Sequence, residues 1–182
     1  MSRLSIPTAD TVPVASKPLL ATVYKQLGVV PNLMTVLGHS PAALTGYLSL
    51  HGALAQGTLD AGLQERIALV MAEFNGCAYC LSAHDYLGRH VAKLRADEIS
   101  DARAGRAMDT RTDAALRFAR RVAESRGHVT DTDLLALRAA GYGEDSVVEI
   151  VVAVALNVLT NYVNNVAQTD IDFPEVALSP SA

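Results

Sequence analysis

Both cysteines of the chain, Cys77 and Cys80, fall in one stretch that begins at Glu65 and ends at His84. Two thiols three positions apart, with a histidine four positions beyond the second, are residue types suited to thiol redox chemistry. A cysteine attacks as thiolate, and because a free thiol has a pKa of about 8.5, its surroundings must favour the anion. The sequence offers two devices. Asn75-Gly76 reads as a helix stop, so Cys77 opens a new helix and both thiols lie in its first turn, where unpaired N–H groups and the positive dipole end stabilise negative charge. Cys80 and His84 share a face of that helix, so the imidazole can take up the thiol proton directly or through a water. Cys77 and Cys80 are also near enough to close a disulfide once one of them is oxidised. The helix terminus alone favours Cys77 as the more acidic thiol.

Glu65 belongs to the preceding helix, on the side where Ala68, Leu69 and Ala72 suggest burial. A buried carboxylate needs a partner, and if the two helices fold back as a hairpin that partner is His84, which Glu65 would orient. Glu73 competes for the role, and spacing does not rank the two. Other readings of the pair carry less. Buried cysteines can be packing residues. A zinc site could use Cys77, Cys80, His84 and Glu65, but a second knuckle to complete a structural site is missing. Haem attachment needs a histidine directly after the second cysteine, where Leu81 stands, and a thioredoxin-type motif needs a preceding strand. His39, His51, His90 and His128 have no clustered partners and read as surface or satisfied core residues. At least three of Asn157, Asn161, Asn164 and Asn165 share a stripe of the last helix, either a self-satisfied polar seam or a wall of the site pocket.

The elements that must hold these residues are all helical. Leu19 to Leu27 is apolar at helical spacing and stops at Gly28. A break follows at Val29-Val30-Pro31-Asn32, and the pattern resumes from Leu33 to Leu37. Ser40-Pro41 opens a segment that runs to about Gln56-Gly57, and Thr58 or Asp60 caps the next one. In that segment Leu63, Ile67, Val70, Met71 and Phe74 form a stripe, and the small apolar residues beside it predict burial nearly all round. Further segments run from Cys77 through Val91, Asp97 to Ala104, Asp109 to Ser125, Thr130 to Ala140 and Glu144 to about Thr169. The last is rich in β-branched residues, but its uninterrupted length argues for helix; Glu149 and Asn157 break its apolar run and argue against a membrane span. The expectation is an all-α bundle of seven or eight helices. An arm over residues 1–18 carries three of the seven prolines and would cross a surface or a neighbouring subunit; residues 19–182 would form a single domain ending in a Ser/Pro tail.

Composition bounds the function. The chain has 182 residues, half of them hydrophobic, with 15 basic against 19 acidic side chains and a formal net charge of -4. No Lys/Arg stripe could follow a phosphate backbone, so nucleic acid is not an expected partner. The start of the chain lacks the order of a secretory signal, which gives a cytoplasmic, reducing setting in which a cysteine pair is more useful as a cycling dithiol than as a staple.

Glu65, Asn75, Cys77-Ala78-Tyr79-Cys80 and His84, together with Glu149, the Asn-rich helix and Asp170-Ile171-Asp172-Phe173-Pro174, resemble the AhpD-like alkylhydroperoxidases of the carboxymuconolactone decarboxylase superfamily, in particular their peroxidase-related branch. The resemblance runs from about Leu19 onward. It implies an AhpD-like helical fold, a homo-oligomer, and a peroxidase that takes a hydroperoxide substrate and an external dithiol reductant and needs no metal or organic cofactor. Cys80 would then be the peroxidatic thiol, Cys77 the resolving thiol, and His84 with Glu65 the proton relay. The chain departs from the founding enzyme at Tyr79, where that enzyme has a histidine. Other members lack the cysteines and decarboxylate or hydrolyse lactones, and retention of both cysteines argues against that chemistry here.

Overall fold

The computed structural model describes residues 2–8 and 10–179. Met1 and Ala9 of the expected arm, and Pro180, Ser181 and Ala182 of the expected tail, lie outside the described residues. Among the described residues the chain forms nine α-helices and no strand: α1 Lys17–Leu27, α2 Asn32–Leu37, α3 Pro41–Leu54, α4 Ala61–Phe74, α5 Ala78–His90, α6 Ala96–Arg103, α7 Thr110–Ser125, α8 Asp131–Ala139 and α9 Glu144–Ala167. A 3-10 turn over Val14–Ser16 leads into α1. The count is slightly above the expected seven or eight, and the pattern that resumes after Pro31 forms a separate short helix, α2.

The helix boundaries follow local chemistry. Gly28 ends α1 in the left-handed region, with φ +75. Ser40 accepts a hydrogen bond from the Ala43 amide at the start of α3, where Pro41 occupies the first helical position. Asp60 caps α4 through the Leu63 amide, while Thr58 is taken by Glu149. The Glu149 carboxylate accepts from Thr58 N (2.7 Å), Thr58 Oγ1 (2.9 Å) and Leu59 N (3.2 Å) and so ties the start of α9 to the loop before α4.

Helix α4 is the axis of the bundle and packs against α5, α6, α7 and α9. Leu63, Ile67, Ala68, Leu69, Val70, Met71 and Ala72 are buried. Phe74, expected in the same stripe, is the last residue of α4 and is exposed. Helix α9 buries Ile150, Ala153, Val154 and Leu156 and touches α2, α3, α4, α5 and α7. By length and composition it is the one helix among the described residues that could cross a membrane.

The turn between α4 and α5 sets the site. Gly76 (φ +62) donates from its amide to Glu73 O (3.2 Å), and the Cys77 amide donates to Ala72 O (2.9 Å), the two bonds of a Schellman motif. The same Cys77 is the N-cap of α5, and its Sγ accepts from the Cys80 amide at 3.1 Å. One residue therefore closes one helix and opens the next, with only Asn75 and Gly76 between α4 and that cap.

The described segments before α1 and after α9 fold onto the bundle. The Arg3 amide donates to Ala167 O (2.6 Å), at the end of α9. His39 Nε2 bonds Ser5 O (2.7 Å), and the buried Ser16 hydroxyl donates to Gly38 O (2.7 Å). After α9, Asp172 accepts from the Asn32 amide (2.8 Å) and Val176 N donates to Ser82 Oγ (3.0 Å).

Candidate active site

Cys77 and Cys80 are joined as a disulfide, with Cα atoms 5.3 Å apart, and their side chains are buried at the head of α5. One turn further along α5, His84 Nδ1 lies 2.8 Å from Glu65 Oε2 of α4. That bond leaves Nε2 as the imidazole nitrogen free to serve the cavity. Glu73 is placed elsewhere: it pairs with Arg103 of α6 (2.5 Å) and meets Ser179 of the tail. Of the two carboxylates that the sequence offered, Glu65 is therefore the one that reaches the imidazole.

Cys80, His84 and Glu65 line a cavity of about 110 Å³ whose other walls come from α3, with Tyr47 and His51, and from α9, with Asn157 and Thr160. Apolar residues complete it: Leu33, Leu54, Ala68, Ala83, Ala153 and Leu156 among them. Tyr79 contributes its ring to the wall, but its hydroxyl points into other work. It accepts from the Leu33 amide (3.1 Å) and bonds the Asp172 side chain, while the Phe173 ring meets it edge-on. Burial first, and then the hydrogen bond to Asp172, push the phenol far above its usual pKa. Tyr79 thus holds its proton and anchors the tail.

Two cavity residues escaped the sequence reading. His51, expected to lack clustered partners, stands on the cavity wall and stacks on Tyr47 at a ring separation of 5.7 Å. Burial, then the nearby His84, lower the His51 pKa, and the Glu65 carboxylate opposes them. Tyr47 is pushed up to about 12, by burial first and by Glu65 second. The available signal was the pairing of Tyr47 with His51 one turn apart on a helix otherwise made of small and aliphatic residues. His39 is a tether for the arm, and His90 packs on Tyr86.

The asparagines of α9 divide between the two expected roles. Asn157 lines the cavity and donates to Ala153 O of its own helix. Asn161 Oδ1 accepts from Asn75 Nδ2 (2.8 Å), and Asn165 Nδ2 donates to Asn75 O (2.9 Å), so both pin α9 to the α4–α5 turn. Asn164 Nδ2 donates to Cys80 Sγ at 3.2 Å. Among the described residues no three His, Cys, Asp or Glu side chains converge as metal ligands would.

Residues 41–125, from the first residue of α3 to the last of α7, match the carboxymuconolactone decarboxylase family. Over nearly the whole chain the fold is similar to a peroxidase-related protein from Ralstonia eutropha that has the alkylhydroperoxidase AhpD core. The two are 26% identical over 94% of this chain and 92% of that one, with a TM-score of 0.84. The likeness is one of fold to the AhpD core over the whole bundle, and the family match spans α3 to α7. A peroxidase-related protein from Silicibacter sp. shares this AhpD fold at 22% identity, over 93% of this chain and 91% of its own, with a TM-score of 0.81. The debrominase Bmp8 shares it at 21% identity, over 92% and 94%, with a TM-score of 0.73. No curated protein matches. The matched family segment contains Glu65, Cys77, Cys80 and His84 but stops before α9 and its asparagines.

Proposed function

We propose that the protein is a thiol peroxidase that reduces hydroperoxides through Cys80 and Cys77. The observation that carries this reading is the His84–Glu65 pair, bonded at 2.8 Å, on the wall of the cavity that Cys80 also lines. His84 takes the Cys80 proton, and the Glu65 carboxylate steadies the imidazolium that results. The Cys80 thiolate attacks the terminal peroxide oxygen. The O–O bond breaks, an S–O bond forms, and the departing alkoxide collects the proton from His84 to leave as alcohol. Sulfur has then lost two electrons to the peroxide and stands as sulfenic acid. Cys77 then attacks that sulfur: the S–S bond forms, the S–O bond breaks, and the proton that the Cys77 thiol gives up passes to the departing hydroxide, which leaves as water. An external dithiol returns the pair to thiols and is itself oxidised to a disulfide. The apolar walls of the cavity favour organic hydroperoxides over hydrogen peroxide.

The same reading takes residues 19–182 as one catalytic unit, with the preceding arm laid across it, working in a cytoplasmic setting as a homo-oligomer. Support for the oligomer comes from α9, whose outer side exposes Val148, Val151, Leu159, Tyr162 and Val166 at helical spacing.

The test is consumption of an alkyl hydroperoxide by the purified protein with a dithiol donor. Turnover lost in Cys80→Ser, with sulfenic acid trapped on Cys80 in Cys77→Ser, is the expected result. No consumption with any dithiol, or full turnover in Cys80→Ser, would overturn it. Lactone turnover that survives replacement of both cysteines would put a decarboxylase-type reaction in its place.

A further inference from the structure

Asn164 is 3% exposed, and its two amide atoms differ in status: Nδ2 donates to Cys80 Sγ, while Oδ1 is buried with no hydrogen-bond partner. A buried carbonyl oxygen without a donor is uncommon, because the group has lost its water and gained nothing in return. The side chain is not loose. Asn161 and Asn165, three residues before it and one after, bond Asn75 in the turn that precedes Cys77, so the register of α9 against the cysteines is fixed on both sides of Asn164. The amide is therefore held against the Cys80 sulfur with one donor used and one acceptor idle.

We propose that Asn164 is a catalytic residue of the peroxidase reading, on which this inference rests, and that its amide serves two oxidation states of Cys80 in turn. Against a disulfide sulfur the N–H makes a weak hydrogen bond. Against a thiolate the same N–H bond is charge-assisted and stronger, so Asn164 stabilises the anion and lowers the Cys80 pKa. When Cys80 becomes sulfenic acid, a new O–H donor appears beside the sulfur, and Oδ1 is the acceptor already in place for it. The idle acceptor thus finds its partner in a group that exists only during turnover. Holding the sulfenic hydroxyl on the α9 side leaves the sulfur open to Cys77 and withholds it from a second peroxide. This also gives Cys80 a claim to attack first that is separate from the histidine beside it, and it offsets the preference of the helix terminus for Cys77.

Two readouts in a Cys77→Ser background, where Ser keeps the helix cap and Cys80 is the sole thiol, test the proposal without relying on turnover. The first is the pH profile of Cys80 alkylation by iodoacetamide. Asn164→Ala should raise its midpoint by about one pH unit, roughly tenfold less thiolate at a pH below both midpoints. Asn164→Asp, which keeps the shape and sets a carboxylate beside the thiolate, should raise it further. The second is the lifetime of the sulfenic acid in excess alkyl hydroperoxide, whose second equivalent would carry it on to sulfinic acid, followed by dimedone trapping and mass. It should shorten several-fold in Asn164→Ala, with sulfinic acid in its place. Circular dichroism and the urea midpoint establish that each variant is folded, and Asn164→Leu, of similar volume, replaces Asn164→Ala if the latter is not. An unchanged alkylation midpoint in a folded variant overturns the thiolate role, and an unchanged sulfenic lifetime overturns the acceptor role. If the wild-type protein consumes no hydroperoxide yet the midpoint shifts as stated, the peroxidase reading fails while the Asn164–thiolate bond stands.

Discussion

Glu65 and Glu73 lie eight positions apart on one helix, yet only Glu65 meets an imidazole, and that difference is open to measurement. Glu65→Gln keeps the shape of the pair and removes its charge, so His84 gains less from taking the Cys80 proton. The rate of Cys80 oxidation by an alkyl hydroperoxide should fall by roughly 10²-fold, within the usual range of acid–base contributions. Glu73→Gln should leave that rate unchanged while weakening the contact with Arg103 of α6. His51 makes a different prediction. Its pKa is lowered by the fold, chiefly through burial, from the ordinary 6.5. Above that value the ring is neutral in both folded and unfolded chains. As pH falls below it, the unfolded chain binds the proton first, so stability is lost from 6.5 down to the lower folded pKa and then stays level. Urea midpoints at about pH 7.5 and about pH 5.5 should therefore differ less in His51→Gln than in the wild type.

The α4–α5 hairpin works because one turn does two jobs. Gly76 has φ +62 with nothing within 4 Å of where a Cβ would stand, so the cost of a side chain there is conformational and not steric crowding by neighbours. Gly76→Ala should destabilise the protein by about 1–2 kcal/mol in urea titration, the cost of a left-handed non-glycine residue. Cys77 caps α5 with the same sulfur that takes part in the disulfide. Cys77→Ser retains a capping atom and Cys77→Ala does not. With both proteins fully reduced, Cys77→Ala should be the less stable by about 1 kcal/mol, although both lose the disulfide alike. The consequence is that Cys77, the thiol proposed to resolve, cannot be varied freely: any replacement also changes the helix terminus beside Cys80.

At the scale of the molecule, the apolar outer side of α9 leads to an association test. Leu159→Arg should shift the sedimentation-derived mass toward the monomer at micromolar concentration, with far-UV circular dichroism unchanged. How far the sequence alone reaches is also clearest here. Caps at Ser40, Asp60 and Asp109, and the stops at Gly28 and Asn75-Gly76, are local chemistry, so helix ends could be read within a residue or two. The Cys77-to-His84 face is equally local. What escaped was non-local: Tyr47 and His51 reach the cavity from α3, and the exposure of Phe74 depends on which neighbours pack against the end of α4. Glu65 and Glu73 could not be ranked because eight residues are a little over two helical turns, which leaves both near one side of α4. Asn164 is the extreme case, meeting Cys80 across 84 residues. That separation also sets an order of events when the chain folds. The α4–α5 hairpin closes over a short loop, and α9 must dock across a long one, which is the slower and entropically dearer contact. A brief alkylation pulse at successive times of refolding therefore reads out assembly: Cys80 should become fast-reacting only when α9 has arrived, so the thiol acts as a clock for the last long-range step of folding.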